Sequence, residues 1–319
     1  MLPLIDLHRH LEGSIRSSTM IAIARRDGHP FADVPRPRDE LVARGPLGGL
    51  LPYLAKVDDR IGVVSGLGDW RRVAREAVED AYDDGLDYVE FRFSPYFIRQ
   101  QTGLAPEAVI DAVAEGVAEG SAVTGLRAGL IATILRDLGP EAAAEQVATF
   151  LTRRELWCGV DLAGNEAGYA AELFRPAFRA VRDAGLHVTV HAGEAAGPES
   201  VRAAVRELGA ERIGHGVRSA EDPTLMAELA AAGVTLEVAL TSNVQTGAAP
   251  GYPDHQIHAL LAAGVPVTLN TDNPRVSDVR LSQEHTLARY ASGLTPEQLR
   301  TVAEQSVRAA FTDLRIPGV

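Results

Sequence analysis

Residues 187–193 read HVTVHAG, a β-branched run of strand length that stops at a glycine. Just before it, AGL (184–186) puts a glycine where a helix would close. Just after it, PESVRAAVRELGA (198–210) is amphipathic at helical period and opens on Pro and Glu, as helix starts do. RIGHGV (212–217) is the next strand-like run. Strand, helix and strand in so short a span make a βαβ unit, whose strands pair in parallel.

The same alternation extends in both directions. PLIDLH (3–8), YVEFRFSP (88–95), LRAGLIATIL (126–135), CGVDLAG (158–164), TLEVALTSN (235–243) and PVTLNTD (266–272) bring the strand-like runs to eight. DWRRVAREAVEDAYDDG (69–85) is another helical spacer, and DGL (84–86) and AGV (263–265) repeat the glycine ending. Eight such units predict an α/β fold, a closed (β/α)8 TIM barrel, with 1–319 as one domain. An open doubly wound sheet competes less well, because no G-x-G-x-x-G follows the first strand. About eighty residues separate His8 from Tyr88, too many for one helix. VPRPRDELVARGPLGGLLP (34–52) is rich in Pro and Gly. One or two extra helices are expected there, inserted between the first and second strands. Residues 30–65 thus form a helical insertion and candidate lid over the barrel mouth.

Composition narrows the function classes. The chain has 319 residues, 46% of them hydrophobic, and a formal net charge of −12. Lys56 is its only lysine, and no basic run offers a footprint for nucleic acid. Cys158 is the only cysteine, which excludes an internal disulfide and suits a reducing compartment. No apolar run reaches the roughly 18 residues of a membrane span, and no basic, apolar leader precedes His8. The expectation is a soluble cytoplasmic protein without membrane or nucleic-acid partners. The sequence is silent on oligomeric state.

In a barrel of this type, functional groups sit at the C-terminal ends of strands. The first strand ends in LIDLHRHLEG (4–13), with His8 and His10 two apart and so on one face. The fifth ends in HAGE, with His191 and Glu194; the sixth carries His215; the eighth ends in NTDNP, with Asp272. Taken alone, each has an ordinary reading. His191 fits a buried histidine bonded to backbone, His215 a turn residue, and Asp272 a helix cap ahead of Pro274. Their agreement at one end of one barrel argues for a metal site. Imidazoles with a carboxylate suit Zn2+, and such an ion lowers the pKa of bound water from 15.7 to about 7. Glu194, three residues past His191, is placed to carry protons. His29, His187, His255, His258 and His285 are assigned to surface or packing.

These residues carry a resemblance. DLHRHLEGSIR, VEFRFSP, DLAGNE, HAGEAAGPES, GAERIGHGV, LTSN and LNTDNP resemble, in order and along nearly the whole chain, the blocks of the adenosine deaminase family. That resemblance implies a (β/α)8 barrel with one zinc per chain, held by His8, His10, His191 and Asp272. It implies that Glu194 hands a proton to purine N1 and that His215 orients the attacking hydroxide. It places Glu12 at the ribose 5′-hydroxyl, Ser94 near the pocket, the backbone of Gly164 at purine N3, and residue 273 at N7. The implied reaction is hydrolytic deamination of a 6-aminopurine nucleoside, adenosine or 2′-deoxyadenosine, to the 6-oxo purine and ammonia.

Three positions depart from the family pattern: Glu12 stands for Asp, Asn165 for Asp in DLAGDE, and Asn273 for the second Asp of TDDP. Purine N7 is an acceptor, so its partner must donate. An amide donates at any pH, whereas an aspartate donates only when protonated. Asn273 is therefore expected to support catalysis without a raised pKa; the competing role is a helix cap. Glu12, one methylene longer than Asp, keeps free adenine and modified nucleosides such as aminodeoxyfutalosine open as substrates. Two other chemistries are closed off. A carboxylated-lysine metal bridge needs a lysine after the fourth strand, and Lys56 precedes the second. The cytidine-type zinc site needs two cysteines. A purine-binding relative without turnover would be expected to lack Glu194 or a ligand, and this chain has both.

Overall fold

The computed structural model describes residues 2–34 and 40–314. Eight parallel strands follow one another around a barrel in the order β1 to β8. They are β1 Ile5–His10, β2 Tyr88–Phe93, β3 Arg127–Leu135, β4 Gly159–Ala163, β5 His187–Ala192, β6 Arg212–His215, β7 Thr235–Val238 and β8 Val267–Leu269. All eight coincide with the apolar runs. The glycines expected to close helices before β2, β5 and β8 do so at Gly85, Gly185 and Gly264, each with φ between 70° and 83°. β8 and β1 are not joined by a ladder. They meet at one bridge between Arg9 and Asp272, where the His10 N–H donates to the Asp272 carbonyl at 2.7 Å and the Asp272 N–H to the His8 carbonyl at 2.8 Å. The β1–β2 register also shifts between Asp6 and Arg9. Irregularities of this kind re-aim side chains beside functional sites.

Helices cover the outside. Leu67–Asp83 is the helix read from the sequence, and it buries Trp70, Val73, Ala74, Ala77 and Val78 against the sheet and the neighbouring helix Pro106–Thr124. Full burial of one such valine side chain contributes roughly 1.5–3 kcal/mol. The barrel interior is charged. Arg212 Nη2 donates to Glu90 Oε2 at 2.6 Å, and Arg212 Nε lies 2.6 Å from Glu237 Oε1. Arg92 reaches Glu237 Oε2 at 2.8 Å and Asp161 Oδ2 at 3.3 Å. These side chains are completely buried or nearly so.

Of the one or two helices expected around 34–52, Leu50–Ile61 is described in full and Glu40 and Leu41 are helical; residues 35–39 lie outside the described residues. Two local readings change. TLEVALTSN is not a strand throughout. β7 stops at Val238 and Leu240–Thr246 is helical, which turns Ser242 and Asn243 back over the barrel mouth. The segment 198–210 is helical from Pro198 to Ala203 and then widens to a π-turn over Ala204–Leu208.

Candidate metal centre and purine-sized cavity

The alternation of β1 turns His8 and His10 to one face, with ring centroids 5.3 Å apart. β5 supplies His191, and the chain just beyond β8 supplies Asp272. His10 Nε2 stands 3.1 Å from His191 Nε2, and Asp272 Oδ1 lies 3.5 Å from His8 Nε2 and 3.4 Å from His10 Nε2. One ligand atom from each of the four falls within 4.8 Å of every other. His8 Nε2 is buried and has no hydrogen-bond partner. A buried, unpaired ring nitrogen is costly unless another group takes its lone pair. Gly214 leaves room for this cradle: a Cβ there would come within 2.9 Å of His8 Cε1 and 3.2 Å of the His191 ring. Among the described non-glycine residues, left-handed backbone occurs at His215 (φ 62°), Asp272 (φ 60°) and Asp278 (φ 53°). Two of those three are site residues, so strain is concentrated where the side chains must be aimed.

The partners of each imidazole fix its tautomer. Burial alone would raise Glu237, but Arg92 and Arg212 outweigh it and hold the carboxyl well below the usual range. Asp161 is likewise depressed, burial being outweighed by His191 and Arg92. Ionised carboxylates only accept. His8 Nδ1–H therefore donates to Glu237 Oε2 at 2.8 Å and His191 Nδ1–H to Asp161 Oδ1 at 3.1 Å. Both Nε2 lone pairs then face the centre, the arrangement that metal-binding histidines adopt. Burial, with Arg92 adding to it, lowers His8 to about 4, so its ring is neutral as a ligand must be. His215 is the reverse case. The Asn243 amide donates to its Nδ1 at 3.0 Å, which puts the ring proton on Nε2, 3.6 Å from Glu194 Oε2. His215 is thus a donor toward the cavity and not a fifth ligand.

Glu194 is buried, its Oε1 has no partner, and burial raises its pKa against the opposing pull of His215. The loop that carries it wraps around another carboxylate. Glu166 accepts from the N–H groups of Gly193, Glu194, Ala195 and Ala196 at 2.6–3.1 Å and from Ser200 Oγ at 2.6 Å. Asp272 is held by Ser242 Oγ, which donates to Oδ2 at 2.6 Å.

A cavity of about 330 Å3 opens onto these groups, within the range of small-ligand sites. His10, His191, Glu194, His215 and Asp272 line its floor, and Leu50, Leu54, Val57 and Phe97 form an apolar wall. Glu12 Oε1 accepts from the Ser94 N–H at 2.8 Å while Oε2 is unpaired, and burial pushes this carboxyl up to about 7. Ser94 lines the cavity, but its hydroxyl accepts from the Phe97 N–H at 3.2 Å as a helix cap. Gly164 adopts φ 112°, a backbone conformation strained for any side chain, and a Cβ there would also displace the Asp137 carboxylate. Asn165 does not line the cavity; its Oδ1 accepts from the Gly168 N–H at 3.1 Å. The Asn273 side chain is not a helix cap. Its Nδ2 donates to Asp272 Oδ1 at 2.7 Å, and only its backbone carbonyl takes the N–H groups of Val276 and Ser277. No lysine or arginine lines the cavity among the described residues.

Sequence reasoning missed Asp161, Glu237, Arg92, Ser242, Asn243 and Glu166. A usable signal was present for two of them: Asp161 and Glu237 are acids in the middle of apolar strands, where a charge needs a partner.

The architecture and this constellation match known proteins. The Adenosine deaminase family model matches residues 3–315. An adenosine deaminase from Klebsiella pneumoniae subsp. pneumoniae is 44% identical over 314 residues, 97% of this chain and 94% of its own length. An adenine deaminase from Arthrobacter aurescens shares the fold with a TM-score of 0.91 at 27% identity, over 98% of this chain and 94% of that one. An amidohydrolase from Burkholderia ambifaria with bound Zn gives a TM-score of 0.89 at 28% identity, over 98% of this chain and 86% of that one. With a family match over almost every residue and the histidines and acids meeting at the strand ends, the chain belongs to the adenosine deaminase family.

Proposed function

We propose that this chain hydrolytically deaminates a 6-aminopurine nucleoside, adenosine or 2′-deoxyadenosine, to the 6-oxo purine and ammonia. His8, His10, His191 and Asp272 would hold one Zn2+, a reading supported by their donor set and by the Zn-bound relative. When bound, such an ion ionises water near neutral pH. Protonated Glu194 gives its proton to purine N1, which makes C6 electrophilic. The His215 Nε2–H donates to the oxygen arriving at C6. A proton from the added oxygen then passes to the 6-amino group, and ammonia departs. The Asn273 amide donates to N7, the Gly164 backbone meets N3, and Glu12 meets the ribose 5′-hydroxyl. We read the chain as one catalytic domain in which segment 30–65 closes over the ligand. In that segment Gly45, Gly48 and Gly49, all at positive φ, precede the cavity-lining helix Leu50–Ile61.

One observation carries the reaction assignment: the lone pairs of His8 and His191 converge on one point while His215 offers a proton to the same cavity. A second reading, deamination of free adenine, draws on the adenine deaminase of Arthrobacter aurescens and on the longer acid at Glu12. Phosphorylated substrates are disfavoured, since Glu12, Asp58, Asp137 and Glu194 line the cavity with no lysine or arginine among the described residues. Ammonia release and purine absorbance from adenosine, 2′-deoxyadenosine, adenine and aminodeoxyfutalosine test the ranking. Adenosine is expected to lead. A kcat/KM for adenine or aminodeoxyfutalosine roughly 10³ above that for adenosine, about 4 kcal/mol in transition-state binding, overturns it.

A further inference from the structure

Behind the metal ligands lies a second cavity, of about 510 Å3, walled mostly by charged and polar groups. Arg9 enters it from β1. While His8 and His10 face the barrel interior, Arg9 points outward past Phe91, 5.7 Å from the ring centroid. It is 97% buried, being only 3% exposed. Its Nε makes a long hydrogen bond to Ser14 Oγ at 3.4 Å, and neither terminal amino nitrogen has a hydrogen-bond partner among the described residues. Burying a guanidinium with its fork unfilled is costly, and it binds planar or tetrahedral oxyanions well.

The surroundings point the same way. The helix Ser17–Asp27 opens onto the cavity at Ser17 and Ser18, with no side-chain cap and no acid in its first turn. Its free N–H groups and positive dipole end favour an anion. Arg280 also lines the cavity, exposed and without an ion-pair partner among the described residues. Asp6, Asp80 and Asp84 offset the charge of Arg9 without hydrogen-bonding it, and the two that line the cavity are held by other groups. Asp80 takes Arg16 at 2.9 Å and also Arg275, and Asp84 accepts from the Leu281 N–H at 2.8 Å to cap the next helix. Asp278, the third acid on this wall, is not free either.

We propose that this cavity binds a small oxyanion of the phosphate class, gripped by Arg9 and Arg280 at the N-terminus of the Ser17–Asp27 helix. The volume exceeds that of a bare phosphate, so a phosphate monoester fits as well as the free ion. The site is separate from the substrate cavity and shares no lining residue with it. The two are coupled through the backbone, because the residues flanking Arg9 clasp Asp272 by the paired 2.7 and 2.8 Å hydrogen bonds.

Calorimetric titration of the metal-loaded protein with inorganic phosphate, with chloride as control, tests the site. Phosphate is expected to bind saturably at roughly 1 mM or tighter. Arg280→Ala, an exposed substitution that leaves the core intact, is expected to weaken it about tenfold. Arg9→Met is expected to abolish it. Glu12→Gln, in the substrate cavity, is expected to leave it unchanged. No saturable binding, equal affinity in Arg280→Ala, or loss in Glu12→Gln would each overturn the assignment. Ribose 5-phosphate identifies the occupant: tighter binding than inorganic phosphate names an ester, and equal binding names the free ion.

Discussion

Glu237 and Glu194 are both buried acids in one barrel, yet their surroundings drive them in opposite directions. Below the mouth, Glu237 faces Arg92 and Arg212 and is held ionised. At the mouth, no arginine among the described residues forms an ion pair with Glu194, and burial raises it toward the protonated form. The lower region spends charge on orientation, fixing which nitrogen of His8 points at the candidate metal centre. The upper region leaves Glu194 and Glu12 each with an unpaired oxygen, so that a proton there can be given away. A buried carboxylate is thus a strut or a proton carrier according to whether a cation stands opposite it.

Removing the carrier gives the largest expected effect. Glu194→Gln lowers kcat by about 10²–10⁴ while leaving metal content, measured by elemental analysis, intact. A variant within threefold of the parent would assign the proton transfer to another group.

Removing the strut comes next. Glu237→Gln leaves Arg92 and Arg212 short of a counter-charge, and a broken buried pair costs about 3–5 kcal/mol. Because Glu237 also orients His8, metal affinity measured against a competing chelator falls about 10–100-fold. Unchanged affinity would show that His8 is aimed without it.

A third acid sharpens the contrast through pH. Glu284 is fully buried, its Oε1 accepts from the Thr241 N–H at 3.2 Å, its Oε2 is unpaired, and burial pushes it up to about 7. A carboxyl whose folded-state pKa is raised contributes stability that is complete below its unfolded value near 4.5 and is lost as pH climbs through about 7. The loss is about 3 kcal/mol. Glu284→Gln should therefore equal the parent in urea unfolding at pH 4.5 and exceed it by about that amount at pH 8.5. A pH-independent difference would remove Glu284 from the class of cation-free acids.

The smallest effect concerns Asn273. Its amide already donates to Asp272 Oδ1 at 2.7 Å. Asn273→Asp would set a second carboxylate against that oxygen, so activity at pH 7 should stay level or fall, by less than about tenfold. A rise of about tenfold or more would contradict a role that depends on a donor needing no raised pKa.

The strands and the ligand set were legible because each is a local signal. An apolar run ended by histidine or aspartate needs no knowledge of its neighbours, and four such endings point to one place in a barrel. Partnerships across the barrel were not legible. Asp161 acquires meaning only when β4 stands beside β5, and Glu237 only when β7 faces β1 across the barrel interior, and nothing in GVDLA or TLEV names the histidine each will hold. LTSN misled because its apolar approach reads as strand, whereas the chain turns helical at Leu240 and so brings Asn243 to His215. The Pro- and Gly-rich stretch 34–52 signalled an insertion with one or two helices but not where each begins, since proline and glycine mark breaks more clearly than starts.

The single-bridge seam between β8 and β1 has a mechanical consequence. The candidate ligands sit on both sides of it, His8 and His10 on one edge and Asp272 on the other. An ion shared between them works as a buckle on a hoop whose ends are barely tied. Chelation should then let the amides of His10 and Asp272 exchange with deuterium well before those in the β2–β3 ladder, so a cation bound there would also keep the barrel shut.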